Sequence, residues 1–302
     1  MRKKYIAGGV VIETDLYFQD LVESTADADI QVVYGAIPDA IENPTTSNSF
    51  FSCNDKEALL LLPGIVRFHI IFGSRVVIGL LDENRKADGE AYVLTVVLAV
   101  LSYKKGFFPL HGGGVVHNGE AYLFTGRSGA GKSTTIAGLV KEGFQPLADD
   151  IANLFLKDGK IFVHPCFPRV KLWSDSMEML DYSTEKQRTV RSDVDKYLVA
   201  MEDHFPTAPV PVKGIYFLKK NEDGNSFFQE TKGMQSYELL RENVYKPWMV
   251  KAFDVVQEHF SLMGAIAQTI QIKEFHRPFD KDNIDKMYAA LVQDIRNQEK
   301  KI

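Results

Sequence analysis

Through the first 85 residues the apolar positions come in short runs bounded by turn residues, the pattern of strands. Tyr5–Ile12, Ile30–Tyr34, Ala58–Leu62, Ile65–Ile71 and Arg75–Leu80 are the expected strands, with Pro63-Gly64 and Gly73-Ser74 as turns between the last three. Asn43–Ser49 is polar and reads as a loop, and Asp82–Glu90 as a charged link. The longest apolar run, Ala91–Leu101, spans about eleven residues, against the roughly twenty that a membrane-crossing helix needs. It reads as a buried helix or strand. Glu120–Thr125 is a short β-favouring run. Ser133–Glu142 then carries Ile136, Leu139 and Val140 at helical spacing, with Gly143 as a stop.

Further along, Phe144–Ala148 is a second buried strand, and Ala152–Leu156 and Lys160–Val163 form a hairpin about Asp158-Gly159. Asp181–Asp195 is highly charged and aperiodic, and reads as a mobile loop near the site, either a lid or a plain solvated loop. Val212–Leu218 and Ala267–Phe275 are expected strands, Met234–Asn243 and Pro247–Met263 helices. Asn283–Gln298 is an amphipathic helix with Ile284, Met287, Tyr288, Leu291 and Ile295 on one face. The expected architecture is α/β, with a smaller β-rich region over 1–85 preceding a larger domain over 86–302.

Composition narrows the function classes. Of 302 residues, 45% are hydrophobic and 25% charged, ordinary for a globular chain with a buried core. Thirty-five basic against forty acidic residues leave a net charge of −5 and no basic stripe, so nucleic acid is not an expected partner. Cys53 and Cys166 lie far apart without ligand spacing, which points to a reducing compartment rather than a disulfide framework or zinc. The N-terminus is basic and then apolar like a signal peptide, but Gly8-Gly9 interrupt it and Glu13 and Asp15 close it. The expected location is cytoplasmic, without a membrane partner.

The chemistry concentrates between His111 and Asp150. Gly126-Arg-Ser128-Gly129-Ala130-Gly131-Lys132-Ser133 fits the G-x-x-x-x-G-K-[ST] phosphate loop (Walker A), followed by Thr134 at the helix start. Glycines let successive N–H groups turn toward one anion, and a leading strand and following helix put a helix N-terminus there as well. Lys132 can reach the β/γ-phosphates of ATP and the Ser133 hydroxyl can ligate magnesium. Asp149 and Asp150 end the second strand. Carboxylates there can hold the metal or take a proton from an attacking hydroxyl, and neighbours on a strand point to opposite faces. Val163–Ser174 contains two prolines and presents His164, Arg169 and Lys171 from a stiff backbone, either as phosphate partners or as solvated loop residues around an anchoring Trp173. Arg277 is a further candidate phosphate contact; His117 reads as structural.

A histidine fifteen residues before the first loop glycine, the G-x-S-G-x-G-K-S loop, and Ala148-Asp149-Asp150 seventeen residues past Lys132 together resemble HPr kinase/phosphorylase. The closer resemblance is to HPr kinase-related proteins with a different N-terminal region, a group that includes kinases of lasso-peptide clusters. The resemblance is specific over about forty residues and looser beyond. It implies a P-loop domain of the type shared with phosphoenolpyruvate carboxykinase. It also implies a serine kinase using ATP and magnesium, with Asp149 as base, Asp150 as metal ligand, His111 beside the phosphates or Asp149, and a homo-oligomer. The family's second signature, E-[IV]-R-G-hydrophobic-G, is absent, and with it the residues that shape the dephosphorylating machinery. The expected activity is phosphoryl transfer to a seryl hydroxyl of a protein or peptide. The alternatives are an ATPase or nucleotide sensor without an acceptor, a carboxykinase-type small-molecule enzyme, and a non-catalytic assembly module.

Overall fold

A computed structural model describes residues 2–185, 187–191, 194–201, 204–221, 225–278 and 283–299. The chain is a mixed α/β structure with several sheets. Its first third builds β1 (Lys3–Ala7), β2 (Val10–Thr14), β3 (Val22–Glu23), β4 (Ile30–Tyr34), β5 (Thr46–Ser47), β6 (Phe51–Cys53), β7 (Glu57–Leu62), β8 (Val66–Ile71) and β9 (Arg75–Leu80). Among the described residues these form one sheet in the order β3-β1-β2-β4-β9-β8-β7-β6-β5. Tyr5–Ile12 is therefore not one strand. Gly8 and Gly9 take positive φ of 55° and 81° and fold it into the β1–β2 hairpin. The polar stretch 43–49 contributes the short β5.

A helical stretch follows, α1 (Lys86–Tyr92), a wider π-type turn over 93–97 and α2 (Leu98–Lys104). It settles the helix-or-strand question for Ala91–Leu101 and takes in half of the supposed charged link. Val97, Leu98, Ala99 and Val100 are fully buried, so α2 is apolar because it lies between the sheets, not in a membrane. No described helix is long and apolar enough to cross one.

The second sheet takes β10 (Phe108–His117), β11 (Glu120–Thr125), β12 (Gln145–Ala148), β13 (Ile151–Lys157), β14 (Lys160–Val163), β18 (Val210–Lys220), β19 (Phe227–Thr231) and β20 (Gln271–Arg277). Between them, α3 (Lys132–Lys141) follows β11. A third, small sheet packs β15 (Arg169–Trp173), β16 (Arg188–Arg191) and β17 (Val194–Ala200) in the order β15-β17-β16, with α4 (Ser174–Met179) after β15. The expected loop over Asp181–Asp195 thus gives way to strand at Arg188–Arg191 and from Val194 onward; Lys186, Ser192 and Asp193 lie outside the described residues. Its charges hid the strands because two of them form a narrow sheet with one wet face. Of the C-terminal helices, α5 (Met234–Glu242) matches expectation. The predicted helix 247–263 is split into α6 (Trp248–Ala252) and α7 (Val256–Thr269), with Asp254 at φ 53° between them. Residues 267–269 are the end of α7 rather than strand. The amphipathic α8 (Ile284–Glu299) packs on its own chain: Tyr288 fills the space over Gly138 of α3 and donates its hydroxyl proton to Thr134 O at 2.8 Å.

One apolar core runs from Tyr5 in β1 through Val97 and Leu98 to Ile272 in β20. Buried Asn153 ties its parts together, donating from Nδ2 to Gly8 O and to Ser102 Oγ, both at 2.7 Å. Two histidines sit in apolar surroundings: His259 stacked on Tyr103 at 5.0 Å, and His164 on Phe155 at 4.5 Å. Burial pushes both down to about 4. An unfolded histidine takes its proton near 6.5, so between about 6.5 and 4 the unfolded chain binds the extra proton and stability falls as pH falls. We expect His259→Phe, which keeps the stacking, to flatten the urea-unfolding free energy between pH 6.5 and 4.5 by up to about 2 kcal/mol. An unchanged slope would show that this ring does not resist protonation.

Candidate functional site

Residues 126–131 connect β11 to α3, and their conformation needs glycine. Gly126, Gly129 and Gly131 have φ of 142°, 76° and 80°. A Cβ on Gly126 would stand 2.8 Å from Leu218 O, whereas one on Gly129 would meet nothing, because that residue borders open space. The loop is fixed from behind. Arg277, buried in β20, donates through Nη2 to Ala130 O and through Nη1 to Met287 Sδ at 3.1 Å. The residue proposed from sequence as a phosphate contact therefore grips the loop's backbone. Arg277→Gln should free the loop's backbone and lower the free energy of urea unfolding by about 2 kcal/mol; an unchanged midpoint would show that the loop holds its shape unaided.

The two aspartates sit where β12 gives way to β13. Both strands pair with β10, Ala148 opposite Gly114 and Ile151 opposite His111, and Asp149 and Asp150 fill the gap in that ladder. Asp150 has φ 77°, a left-handed conformation that aspartate tolerates better than most residues, and this turns the two carboxylates apart. Gly112-Gly113-Gly114 permit the close approach: a Cβ on Gly113 would meet Ala148 O at 2.2 Å, one on Gly112 Phe124 O at 2.4 Å.

Asp149 is 3% exposed. Its Oδ1 accepts from Ser133 Oγ at 2.7 Å and its Oδ2 from the Lys171 backbone N–H at 2.8 Å. Asp150 Oδ2 accepts from Lys171 Nζ at 2.8 Å. One residue of β15 thus holds both acids, through its backbone and its side chain. Burial alone would raise the Asp150 pKa, but Lys171, with His111 and Lys196 beyond it, reverses the balance and holds this carboxyl far below the usual carboxylate range. His111 Nδ1 lies 3.2 Å from Asp150 O, and the ring rests against Tyr245 with centroids 5.5 Å apart. Burial first, and Lys132 second, lower its pKa, so the imidazole is favoured neutral. Lys132 donates from Nζ to the loop carbonyls Gly126 O at 2.9 Å and Arg127 O at 3.3 Å, and burial lowers its pKa against the pull of both aspartates.

These groups surround a cavity of about 370 Å³. Of the residues predicted from sequence, His111, Ser128, Gly129, Gly131, Lys132, Ser133, Thr134, Asp149 and Asp150 line it; Gly126 and Ala130 shape the loop from outside. Of the three cations of the stiff segment, only Lys171 reaches it. Arg169 is buried, 3.5 Å from Asp20 Oδ2, and His164 belongs to an apolar cluster elsewhere. Trp173 does not anchor anything: it is half-exposed at the cavity wall, with Lys196 Nζ 5.6 Å from its ring centroid. Lys196, Asp175 and Ser176 were not legible from sequence. They come from elements that carry no motif and reach the site only because the small sheet and α4 fold against α3, where Thr134 Oγ1 and Ser176 Oγ lie 3.0 Å apart.

No family model matches the chain, and no curated protein matches it. Among solved structures, the HPr(Ser) kinase/phosphatase from Coxiella burnetii is similar over 64% of this chain and 98% of that one, at 13% identity and a TM-score of 0.35. The likeness is distant.

Proposed function

We propose that this chain binds ATP with magnesium and transfers the γ-phosphoryl group to a hydroxyl on a protein or peptide. The observation that carries the reading is the Ser133–Asp149 hydrogen bond at the end of a glycine loop, inside a cavity that also holds Lys132, Asp150, Lys171 and His111. The residues suit both groups: an open, left-handed glycine turn at a helix N-terminus for the polyphosphate, and two oxygen donors in contact for a hard cation. Ser133 and Asp149 would hold magnesium, which when bound neutralises charge on the phosphate oxygens. Lys132 leaves its loop carbonyls for the polyphosphate.

This assignment exchanges the two aspartates relative to the family resemblance. Asp149 accepts from Ser133 through one oxygen and from the Lys171 backbone through the other, whereas the Asp150 side chain is paired with Lys171 Nζ and borders a second cavity. Asp150 then accepts the acceptor hydroxyl's proton as the new O–P bond forms and the bond from the γ-phosphorus to the bridging oxygen breaks, with ADP leaving. Lys171 orients that carboxylate, neutral His111 holds the backbone carbonyl of the same residue, and Lys196 adds positive charge beside it.

Incubation with γ-labelled ATP, magnesium and a cell lysate tests the reading. Label on seryl or threonyl residues supports it. Label released only as inorganic phosphate makes the chain an ATPase, and label on a small hydroxyl compound makes it a metabolite kinase. No bound nucleotide refutes the reading altogether.

A further inference from the structure

Two more cavities adjoin the one beside the glycine loop, and neither contains a residue of that loop. The first, about 300 Å³, is bordered by Asp150, Lys171 and Lys196, the same three residues that line the loop cavity, and extends to Tyr245 and Lys246. The second, about 360 Å³, continues from it and shares Asp88, Ala91, Thr95, Lys171 and Val190. Together they follow the α1 side of the helical stretch, on which Asp88, Ala91 and Thr95 recur at helical spacing, with Val190 of β16 opposite. One end of this trough meets the loop cavity at Asp150. The wall near that end is mainly apolar, with Ala91, Val96, Val190 and Val194 on it. Its rim carries Lys196, near Asp150, and Lys246, each with an aromatic ring centroid 5.6 Å from its ammonium group.

We infer that this trough is the acceptor site, and that it takes an extended peptide whose serine or threonine lies at Asp150. The inference rests on the phosphoryl-transfer reading and adds where the acceptor lies and which side chains flank its hydroxyl. Shape argues for a peptide: two contiguous cavities along a helix make an open trough that a strand-like segment spans, whereas a small hydroxyl compound would occupy one of them. Wall and rim specify its sequence. Aliphatic side chains flank the hydroxyl residue against Ala91 and Val190, and an acidic side chain meets Lys196 or Lys246. The N-terminal region thereby gains a role, since Leu62 of β7 borders the trough near Asp150 and Tyr17, Phe18 and Asp20 border it further along, opposite the wall made by α1 and the π-type turn.

A degenerate heptapeptide pool with a fixed central serine, γ-labelled ATP and magnesium tests this directly. The expected result is labelled peptide enriched in Ile, Leu or Val beside the serine and in Asp or Glu within two positions. Ala91→Glu, which puts a charge on the apolar wall, should cut peptide labelling at least tenfold while the Kd for a fluorescent ATP analogue stays within twofold. Val190→Asp gives a second variant should the helix not tolerate the first. Labelling without those preferences, or unaffected by either folded variant, overturns the trough as acceptor site and leaves the kinase reading standing. Magnesium-dependent release of phosphate with no peptide labelled overturns the peptide acceptor while preserving nucleotide use. Failure to bind the nucleotide analogue overturns both.

Discussion

Asp149→Asn should lower phosphoryl transfer by about 10²- to 10³-fold and raise the magnesium concentration for half-maximal activity at least tenfold. The change removes one charge and almost no volume. Its side chain keeps a partner for Ser133 Oγ, now 2.7 Å away, and one oxygen for the Lys171 N–H, so the thermal midpoint should hold within a few degrees. What is lost is the anionic half of the proposed metal pair. Asp150→Asn should behave differently, losing transfer with an unchanged magnesium requirement, because that carboxylate is paired with Lys171 rather than with Ser133. A magnesium titration of the two variants decides between the roles. If the metal requirement moves with Asp150 and not with Asp149, the acids work as the family resemblance implies.

The largest effect on stability is expected from Gly113→Ala. A Cβ at this position would overlap Ala148 O at 2.2 Å, Ile136 Cδ1 at 2.6 Å and Asp149 Cα at 2.9 Å. The ring of obstacles is mostly backbone, from a β12 whose own ladder holds it against β10, so it cannot simply rotate aside. Separating the strands or shifting β12 should cost on the order of 3 kcal/mol, seen as a lower midpoint in urea unfolding. The displaced atoms carry Asp149, so the fraction that remains folded should bind nucleotide with a higher magnesium requirement. Gly129→Ala is the contrast. Its Cβ would meet nothing, and only the left-handed φ of 76° opposes it, at about 1 kcal/mol. A Gly113→Ala variant as stable as the parent would mean the strands separate freely.

Local rules reached far into this chain. The β7–β8–β9 meander, the hairpin at Asp158-Gly159, α3 and α8 all follow from period-2 or period-3.6 patterns with turn residues at their ends. Those rules failed where a short-range signal had two readings. Gly8-Gly9 could be a flexible interruption or a reversal, and only the pairing of Lys3 with Thr14 decides for the reversal. The charges of residues 181–195 masked β16 and β17, because a strand with one wet face tolerates them. At the site, the loop motif announced its own shape, since glycines at positive φ between a strand and a helix are a matter of local backbone geometry.

By itself, the amino-acid order determined the glycine turn between a strand and a helix and the pair of acids one strand later. Each is a property of neighbouring residues, set by φ, ψ and the space a Cβ needs. Only the tertiary structure decided which acid faces Ser133, that Lys171 holds both, that Arg277 supports the loop from behind, and that Lys196 and Trp173 share the cavity. Those relations join residues up to 147 positions apart, Ala130 to Arg277 among them, through the closing of three sheets on one another. No local pattern encodes such a distance, because it is set by the packing of whole elements rather than by any one of them.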